Sequence, residues 1–342
     1  MLTAENKNLK LFYYWILLSF FLIFIMVVVG GLTRLTDSGL SITEWEIVKG
    51  ILPPLTNEDW NYYFSLYKEI PQYKLLYNGM SLEEFKIIFY WEYFHRILGR
   101  IIGLFFLLPF LYFYFTKKLH DKYFIPCLII LFLIITQGII GWYMVSSGLV
   151  NNVSVSHYRL SVHLFIAFVI ISIIFWILLD VKNQSNFNKI IIRKEYDYLF
   201  YLFILLIFLQ VILGAFVSGL DAGKVYQTWP LMNYNYFPNE TDNGTFKELF
   251  NFENHGLVQF YHRNIAYFIT LYSSFIGYFI LKKKIKHLNK PFFYVLLFLL
   301  IQIILGVVTL ISDVNIFLAS GHQIFSLLLT LSVINLYYRY IN

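Results

Sequence analysis

The chain has 342 residues, of which 59% are hydrophobic and only 13% are charged. Average soluble domains have about 25% charged residues, so this composition excludes a soluble globular protein and indicates a chain that lies mostly in a lipid bilayer. The net charge of +6 does not indicate a nucleic-acid partner, because Lys and Arg form short clusters between apolar runs. The single cysteine, Cys127, excludes an intramolecular disulfide and a metal cluster held by several thiolates.

Long apolar runs dominate the chain. A helix needs about 20 apolar residues to cross the hydrocarbon core of a bilayer. Eight runs of this length predict an all-α membrane protein with eight transmembrane helices and both termini on one side. In chain order they lie near residues 11–33, 87–115, 123–147, 159–180, 197–219, 256–281, 291–312 and 319–338.

The basic residues predict the orientation of these helices. The N-terminus and the loops near 116–122, 181–196 and 282–290 are rich in Lys and Arg and contain few acids. The positive-inside rule therefore places both termini and these loops in the cytoplasm. The long loops 34–86 and 220–254 then face the opposite side, and their acidic and proline residues predict folded segments rather than simple linkers.

The two halves of the chain contain similar segments in the same order. GGLTRLTDSGLSITEW at 30–45 aligns with GAFVSGLDAGKVYQTW at 214–229, and both share the pattern Asp-x-Gly-x5-Trp. EYFHRILGR at 92–100 aligns with QFYHRNIAY at 259–267. This order of similar segments indicates an internal duplication.

A further pair of matching positions supports the duplication. The third and seventh predicted helices share a Gln and a Gly four residues apart, at 137 to 141 and at 302 to 306. The sequence therefore predicts two pseudo-repeated four-helix bundles, related as parallel repeats because each half crosses the membrane an even number of times. We expect the halves to be residues 1–188 and 189–342, with the boundary in the cytoplasmic loop near 181–196.

Four histidines occupy matching places in the even-numbered predicted helices: His95, His163, His262 and His322. Each lies within about two turns of the outer end of its helix, so we expect all four at one membrane depth. Two imidazoles facing each other across a four-helix bundle can supply both axial ligands of a heme iron, and each half offers one such pair. Zinc or a dinuclear iron site is a weaker alternative, because either would require further ligands beside the pair.

Charged residues flank the first histidine of each half. Arg96 and Arg263 are candidates to pair with heme propionates, although lipid headgroups are an equal alternative. Glu92 lies three residues before His95 on the same helix face, whereas Gln259 occupies the aligned place in the second half. We predict that Glu92 is catalytic, by orienting a water molecule, accepting a proton or stabilising positive charge; the alternative is an interfacial acid paired with a neighbouring arginine.

Over nearly its whole length the sequence resembles the heme A synthase family. The resemblance is carried by GGLTRLTDSGLSITEW, EYFHRILGR, QGIIGWYMVSSGL, YRLSVHL, VSGLDAGKVYQTWP, QFYHRNIAY and the GHQ of the last helix. It implies an oxidoreductase that converts heme O to heme A, for cytochrome oxidase, by two successive hydroxylations of one ring methyl through the hydroxymethyl intermediate heme I. It also implies that the N-terminal histidine pair holds the substrate heme O and the C-terminal pair holds a heme b cofactor. Glu92 matches the functional acid of the family.

The resemblance indicates a branch of the family, and the N-terminal sequence and composition indicate a cellular location. One branch of the family has a cysteine pair in an outer loop, which this chain lacks, so the sequence is similar to the mitochondrial and alphaproteobacterial branch. No transit peptide precedes the first predicted helix, and the richness in Ile, Lys, Asn, Phe and Tyr suits an AT-rich bacterial genome. We therefore expect a bacterial inner membrane protein.

Two other functions also explain paired histidines. A diheme b-type electron-transfer protein would use the same ligands but gives no reason for Glu92 or the two long outer loops. A heme transporter or chaperone would bind heme reversibly and leave the porphyrin unchanged. The partners we expect are heme O, membrane lipid, a heme O synthase and a membrane electron acceptor or donor; a homo-oligomer stays open.

Overall fold

The computed structural model describes residues 4–45, 49–151, 153–183, 194–239 and 246–342. Ten α-helices lie within these ranges, and eight of them are long and apolar enough to cross a membrane. The two shorter helices, α2 and α3, lie in the predicted loop 34–86. We call this loop and the loop 220–254 the first and second outer loops, after the side of the membrane that the basic residues predict for them. In chain order the ten are α1 (Ala4–Leu35), α2 (Asn57–Lys68), α3 (Pro71–Leu76), α4 (Leu82–Phe115), α5 (Asp121–Asn151), α6 (His157–Asn183), α7 (Asp197–Gly219), α8 (His255–Lys282), α9 (Asn289–Ile311) and α10 (Ile316–Ile341).

The predicted all-α class and the eight long apolar helices are confirmed, although several helices are longer than predicted: α1, for example, begins at Ala4 rather than near residue 11. Helix α4 begins at Leu82 rather than near residue 87 because Ser81 and Glu84 form a capping box. The Ser81 hydroxyl accepts from the Glu84 amide at 3.3 Å, and the Glu84 carboxylate accepts from the Ser81 amide at 2.8 Å. His95 therefore lies about three and a half turns into its helix instead of within the first two.

The long helices pack in two groups. Helix α1 contacts α4 and α6, and α5 contacts α6, around a core rich in aromatic side chains such as Phe12, Trp15 and Phe113. Helix α7 contacts α8 and α10, and α10 contacts α9, around a second core that includes Phe200 and Phe203. These groups contain the helices of the two predicted halves, whose boundary at 188/189 lies outside the described residues.

Contacts between α6 and α7, α6 and α10, and α1 and α10 join the two groups. Gln323 on α10 donates from Nε2 to the Val27 carbonyl at 3.0 Å, and a Cβ at Gly31 would clash with its amide. Arg34 at the end of α1 donates to the carboxylates of Asp37 at 2.7 Å and Asp221 at 2.9 Å. The outer end of α1 is thus tied to the loop that follows α7.

The first outer loop is folded, as its composition predicts. Helix α2 packs over the start of α4 and α3 contacts α5, and the loop encloses a separate apolar core in which Trp60, Tyr67 and Phe85 are buried. Tyr77 donates to Asp37 at 3.0 Å. Burial and the Asp37 carboxylate raise the pKa of Tyr77 to about 12, so the phenol stays protonated and keeps donating. This core holds the loop against the outer end of the first helix group.

Candidate functional site

The four predicted histidines come together as two pairs. His95 on α4 faces His163 on α6 with ring centres 6.5 Å apart and ring planes at 48°. His262 on α8 faces His322 on α10 with ring centres 6.4 Å apart and ring planes at 74°. Both pairs lie between helices of the same group, as the sequence predicts.

The spacing of each pair fits a metal ion held between two imidazoles. A metal–imidazole nitrogen bond is about 2 Å long and the ring centre lies about 1.2 Å beyond the nitrogen, so two axial rings have centres about 6.4 Å apart. The Nδ1 atoms of His163, His262 and His322 are buried without a hydrogen-bond partner among the described residues. Buried polar atoms normally have partners, so one nitrogen of each of these rings is left open to a group besides the described residues.

A glycine on the neighbouring helix makes room for each imidazole. An ideal Cβ would lie 3.1 Å from His95 at Gly30 and 3.1 Å from His262 at Gly214. The corresponding distance is 3.5 Å from Gly141 to His163 and 2.9 Å from Gly306 to His322. An added Cβ would press against the ring at Gly30, Gly214 and Gly306 but would make only an ordinary contact at Gly141, so the first three glycines set how closely the neighbouring helix approaches the histidine. Sequence reasoning found that they recur at aligned positions but missed this role.

Three of the histidines also have a glutamine one turn before the facing glycine. Gln137 donates from Nε2 to the His163 carbonyl at 2.8 Å, and Gln210 donates to the His262 carbonyl at 3.0 Å. The Gln302 amide nitrogen lies 3.2 Å from the His322 ring. These amides tie each histidine to the adjacent helix.

Glu92 lies on α4 one turn from His95 and is only 2% exposed. Its Oε1 accepts two hydrogen bonds from Arg96, at 3.0 and 2.6 Å. Its Oε2 accepts from the Ser41 hydroxyl and from the Ile42 amide, both at 2.8 Å. Four hydrogen bonds, two of them from the cationic Arg96, hold this buried side chain in one position.

The aligned positions of the second half make a version of this arrangement without the acid. Gln259 is also 2% exposed, and its Nε2 donates to the Tyr226 carbonyl at 3.0 Å. Its Oε1 is buried without a partner among the described residues. Val225, which aligns with Ser41, has no hydroxyl to donate. The acid and its hydroxyl donor therefore belong to the first helix group alone.

Arg96 and Arg263 hold the outer loops at matching carbonyls. Arg96 donates to Ile42 at 2.8 Å and to Glu44 at 3.4 Å. Arg263 donates to Tyr226 at 2.8 Å and to Thr228 at 2.9 Å, which are the aligned residues of the second loop. Both arginines thus position loop segments beside the histidine pairs. Their predicted pairing with heme propionates stays a prediction.

Comparison with known proteins identifies the family. A family model described as "Cytochrome oxidase assembly protein" matches residues 13–334. The heme A synthase of Pelagibacter ubique (strain HTCC1062) is 48% identical to the chain and covers 99% of both proteins. The heme A synthase of Rickettsia felis is 40% identical over 95% of this chain and 96% of its own length. That of Rickettsia bellii (strain OSU 85-389) is 42% identical over 94% and 95%. The chain therefore belongs to the cytochrome oxidase assembly protein family and is a relative of the bacterial heme A synthases.

Proposed function

We propose that this membrane protein is an oxidoreductase that converts heme O to heme A by oxidising one ring methyl to a formyl group through two successive hydroxylations. The observation that carries the proposal is the presence of two histidine pairs spaced for an iron, only one of which has a buried carboxylate beside it. A protein that only stores or passes electrons between two hemes has no need for this difference. The names of the full-length relatives support the same reaction.

We assign the substrate heme O to the first helix group and a heme b cofactor to the second. His95 and His163 would be the axial ligands of the iron of heme O, and His262 and His322 those of heme b. Heme b, when bound, supplies one-electron redox chemistry. The assignment is supported by Glu92, since a carboxylate is useful where a substrate changes charge and is costly beside a permanent cofactor.

Glu92 is the proposed catalytic carboxylate. Because it shares a helix face with His95, its carboxylate would lie near a porphyrin that this histidine held. The hydrogen bonds that it accepts from Arg96, Ser41 and Ile42 hold it in place before the reaction, so it need not reorganise as positive charge develops on the substrate. This geometry favours electrostatic stabilisation and positioning over proton acceptance among the roles predicted for the acid.

The outer loops complete the proposed site. Arg96 holds the segment from Ile42 to Glu44 over the outer end of α4, and its guanidinium lies 4.9 Å from the Trp45 ring centre. The loop and its aromatic side chain would limit water access to the heme edge on this side. Converting a methyl to a formyl group is a multi-electron oxidation, so a membrane electron acceptor or donor is a further proposed partner.

The membrane and orientation are part of the proposal. The basic segments after α4 and α8 include Lys117, Lys118 and Lys282 to Lys284, whereas the loops beside the histidine pairs are richer in acids. By the positive-inside rule the histidines lie nearer the outer side, and both termini are cytoplasmic. The relatives from Pelagibacter and Rickettsia support a bacterial inner membrane.

Product analysis tests the proposed function. The full chain is expressed with a heme O source, and the hemes extracted from the membranes are identified by mass. We expect heme A, with the hydroxymethyl form of heme O as a minor species. Heme O recovered unchanged from membranes that contain the folded, heme-loaded protein would contradict the proposal and favour electron transfer or heme transport.

A further inference from the structure

Three of the four histidines have a glutamine one turn before the facing glycine, and His95 does not. Alignment of the two outer-loop segments extends back along α1 and α7, so the position equivalent to Gln210 is Met26. The other aligned pair, Gln137 and Gln302, is the same in both halves. The surroundings of His95 are therefore the exception within the set.

A methionine cannot replace the amide in this position. The glutamine side chain donates hydrogen bonds to the histidine backbone or approaches its ring, whereas a thioether has no donor and is a weak acceptor. The methyl end of Met26 lies 3.4 Å from where a Cβ would be at Gly99, so it packs along α4 beyond the histidine. The His95 residue thus lacks the tie to its neighbouring helix that the other three have.

The orientation of the His95 ring differs as well. Where His163, His262 and His322 present Cε1 as the atom nearest the facing glycine, His95 presents Nε2, 3.1 Å from the Cβ position of Gly30. A half-turn of the ring about the Cβ–Cγ bond exchanges Nε2 with Cε1. Among the described residues, no amide contacts the ring of His95 in the way that the Gln210 amide nitrogen lies 3.4 Å from Nε2 of His262, so no such contact opposes this turn at His95.

We propose that Met26 makes His95 the releasable ligand of the first histidine pair, while His163, held by Gln137, stays on the iron. The inference rests on the proposed function, since only a site that takes up heme O and gives up heme A needs such a ligand. The glutamines of the second pair would in the same way retain the cofactor. Met26 and the glutamines are positioning residues, because they act through the histidines. Groups that orient an imidazole ligand typically change metal affinity about 10-fold to 100-fold.

The test measures heme loss without turnover. The full-length protein, loaded with ferric heme and purified in detergent, is mixed with excess heme-free myoglobin, and transfer is followed by absorbance. The wild type should lose heme in two phases. Because His322→Ala removes a ligand of the second histidine pair, the phase that remains in this variant belongs to heme held by the first pair. Met26→Gln should slow the faster phase at least about tenfold, and Gln210→Met should speed the slower phase by a similar factor.

Controls and contrary outcomes are specific. Met26→Leu removes the sulfur without adding an amide and should leave both phases within about twofold of the wild type. An unchanged fast phase in Met26→Gln, or an unchanged slow phase in Gln210→Met, overturns the inference. If Met26→Gln does not accumulate, Gln210→Met alone decides. A wild type that makes no heme A refutes the proposed function whatever the kinetics, so the two failures are distinct.

Discussion

The aligned glycines Gly306 and Gly141 allow a matched test of the histidine sites. A Cβ at Gly306 would lie 2.9 Å from Cε1 of His322, whereas ordinary carbon contacts begin near 3.4 Å. The ring must therefore move by about 0.5 Å in Gly306→Ala, a quarter of a metal–nitrogen bond of about 2 Å. At Gly141 the corresponding distance to His163 is already 3.5 Å, so Gly141→Ala needs no movement.

We expect Gly306→Ala to lower heme affinity at the second pair at least about tenfold and Gly141→Ala to leave the first pair unchanged. Both changes replace a helical glycine by alanine, which favours the helix by about 1 kcal/mol in each, so propensity does not separate them. Heme content per protein and the low-spin absorption and paramagnetic resonance signals measure the effect. Equal heme content and equal low-spin signals in the two variants would refute the argument that these glycines set the position of the ligands.

Three further predictions concern the same sites. The heme-loaded protein should show low-spin, six-coordinate spectra, and a predominantly five-coordinate, high-spin resting form would exclude the paired ligands. His262→Ala and His322→Ala should each lose the tightly bound heme b while the protein still inserts in the membrane; full retention in both variants, measured by pyridine extraction, would place the cofactor elsewhere. Glu92→Gln should keep both hemes but make little or no heme A. Because this change leaves the partner Arg96 buried without a counter-ion, we also expect the free energy of unfolding to fall by about 3 kcal/mol. Normal heme A at normal protein level is incompatible with a catalytic carboxylate.

Much of the fold could be predicted because the bilayer imposes simple requirements. An apolar run of about 20 residues has few structures available to it in lipid other than a helix, so eight runs gave eight helices. The histidine pairs followed from the duplication, since equivalent positions in two halves were expected to lie at equivalent places. The predicted start of α4 was five residues too late, because the charged residues Glu83, Glu84 and Lys86 are typical of a loop. In the structure Ser81 and Glu84 cap a helix there.

The surroundings of the acid could not be predicted, because they depend on tertiary contacts. Ser41 and Ile42 reach Glu92 across about 50 residues of sequence only when the first outer loop folds back over α4. For the same reason, Glu92→Gln is expected to lower the free energy of unfolding by more than the loss of an ion pair at the membrane interface would. An interfacial ion pair contributes up to about 1 kcal/mol. With side chains only 3% and 11% exposed, Glu92 and Arg96 form a buried pair, for which loss of one partner costs more.

Among the residues described around the four histidines, the differences between the two halves lie beside His95 and its counterpart His262. His163 and His322 have the same neighbours at aligned positions, a glutamine and a glycine one turn apart. His95 and His262 keep the glycine and the following arginine, but around His95 the glutamine of the preceding helix is methionine and the glutamine one turn earlier on its own helix is glutamate. The serine that donates to this glutamate is valine in the other half. If the duplication began with two equal heme sites, one of them had to change to become a substrate site. Such a site requires a ligand that can be released and a charge that is useful during the reaction. The changes beside His95 would meet both requirements, whereas the proposed cofactor site keeps the neutral Gln259 and a glutamine beside each of its histidines.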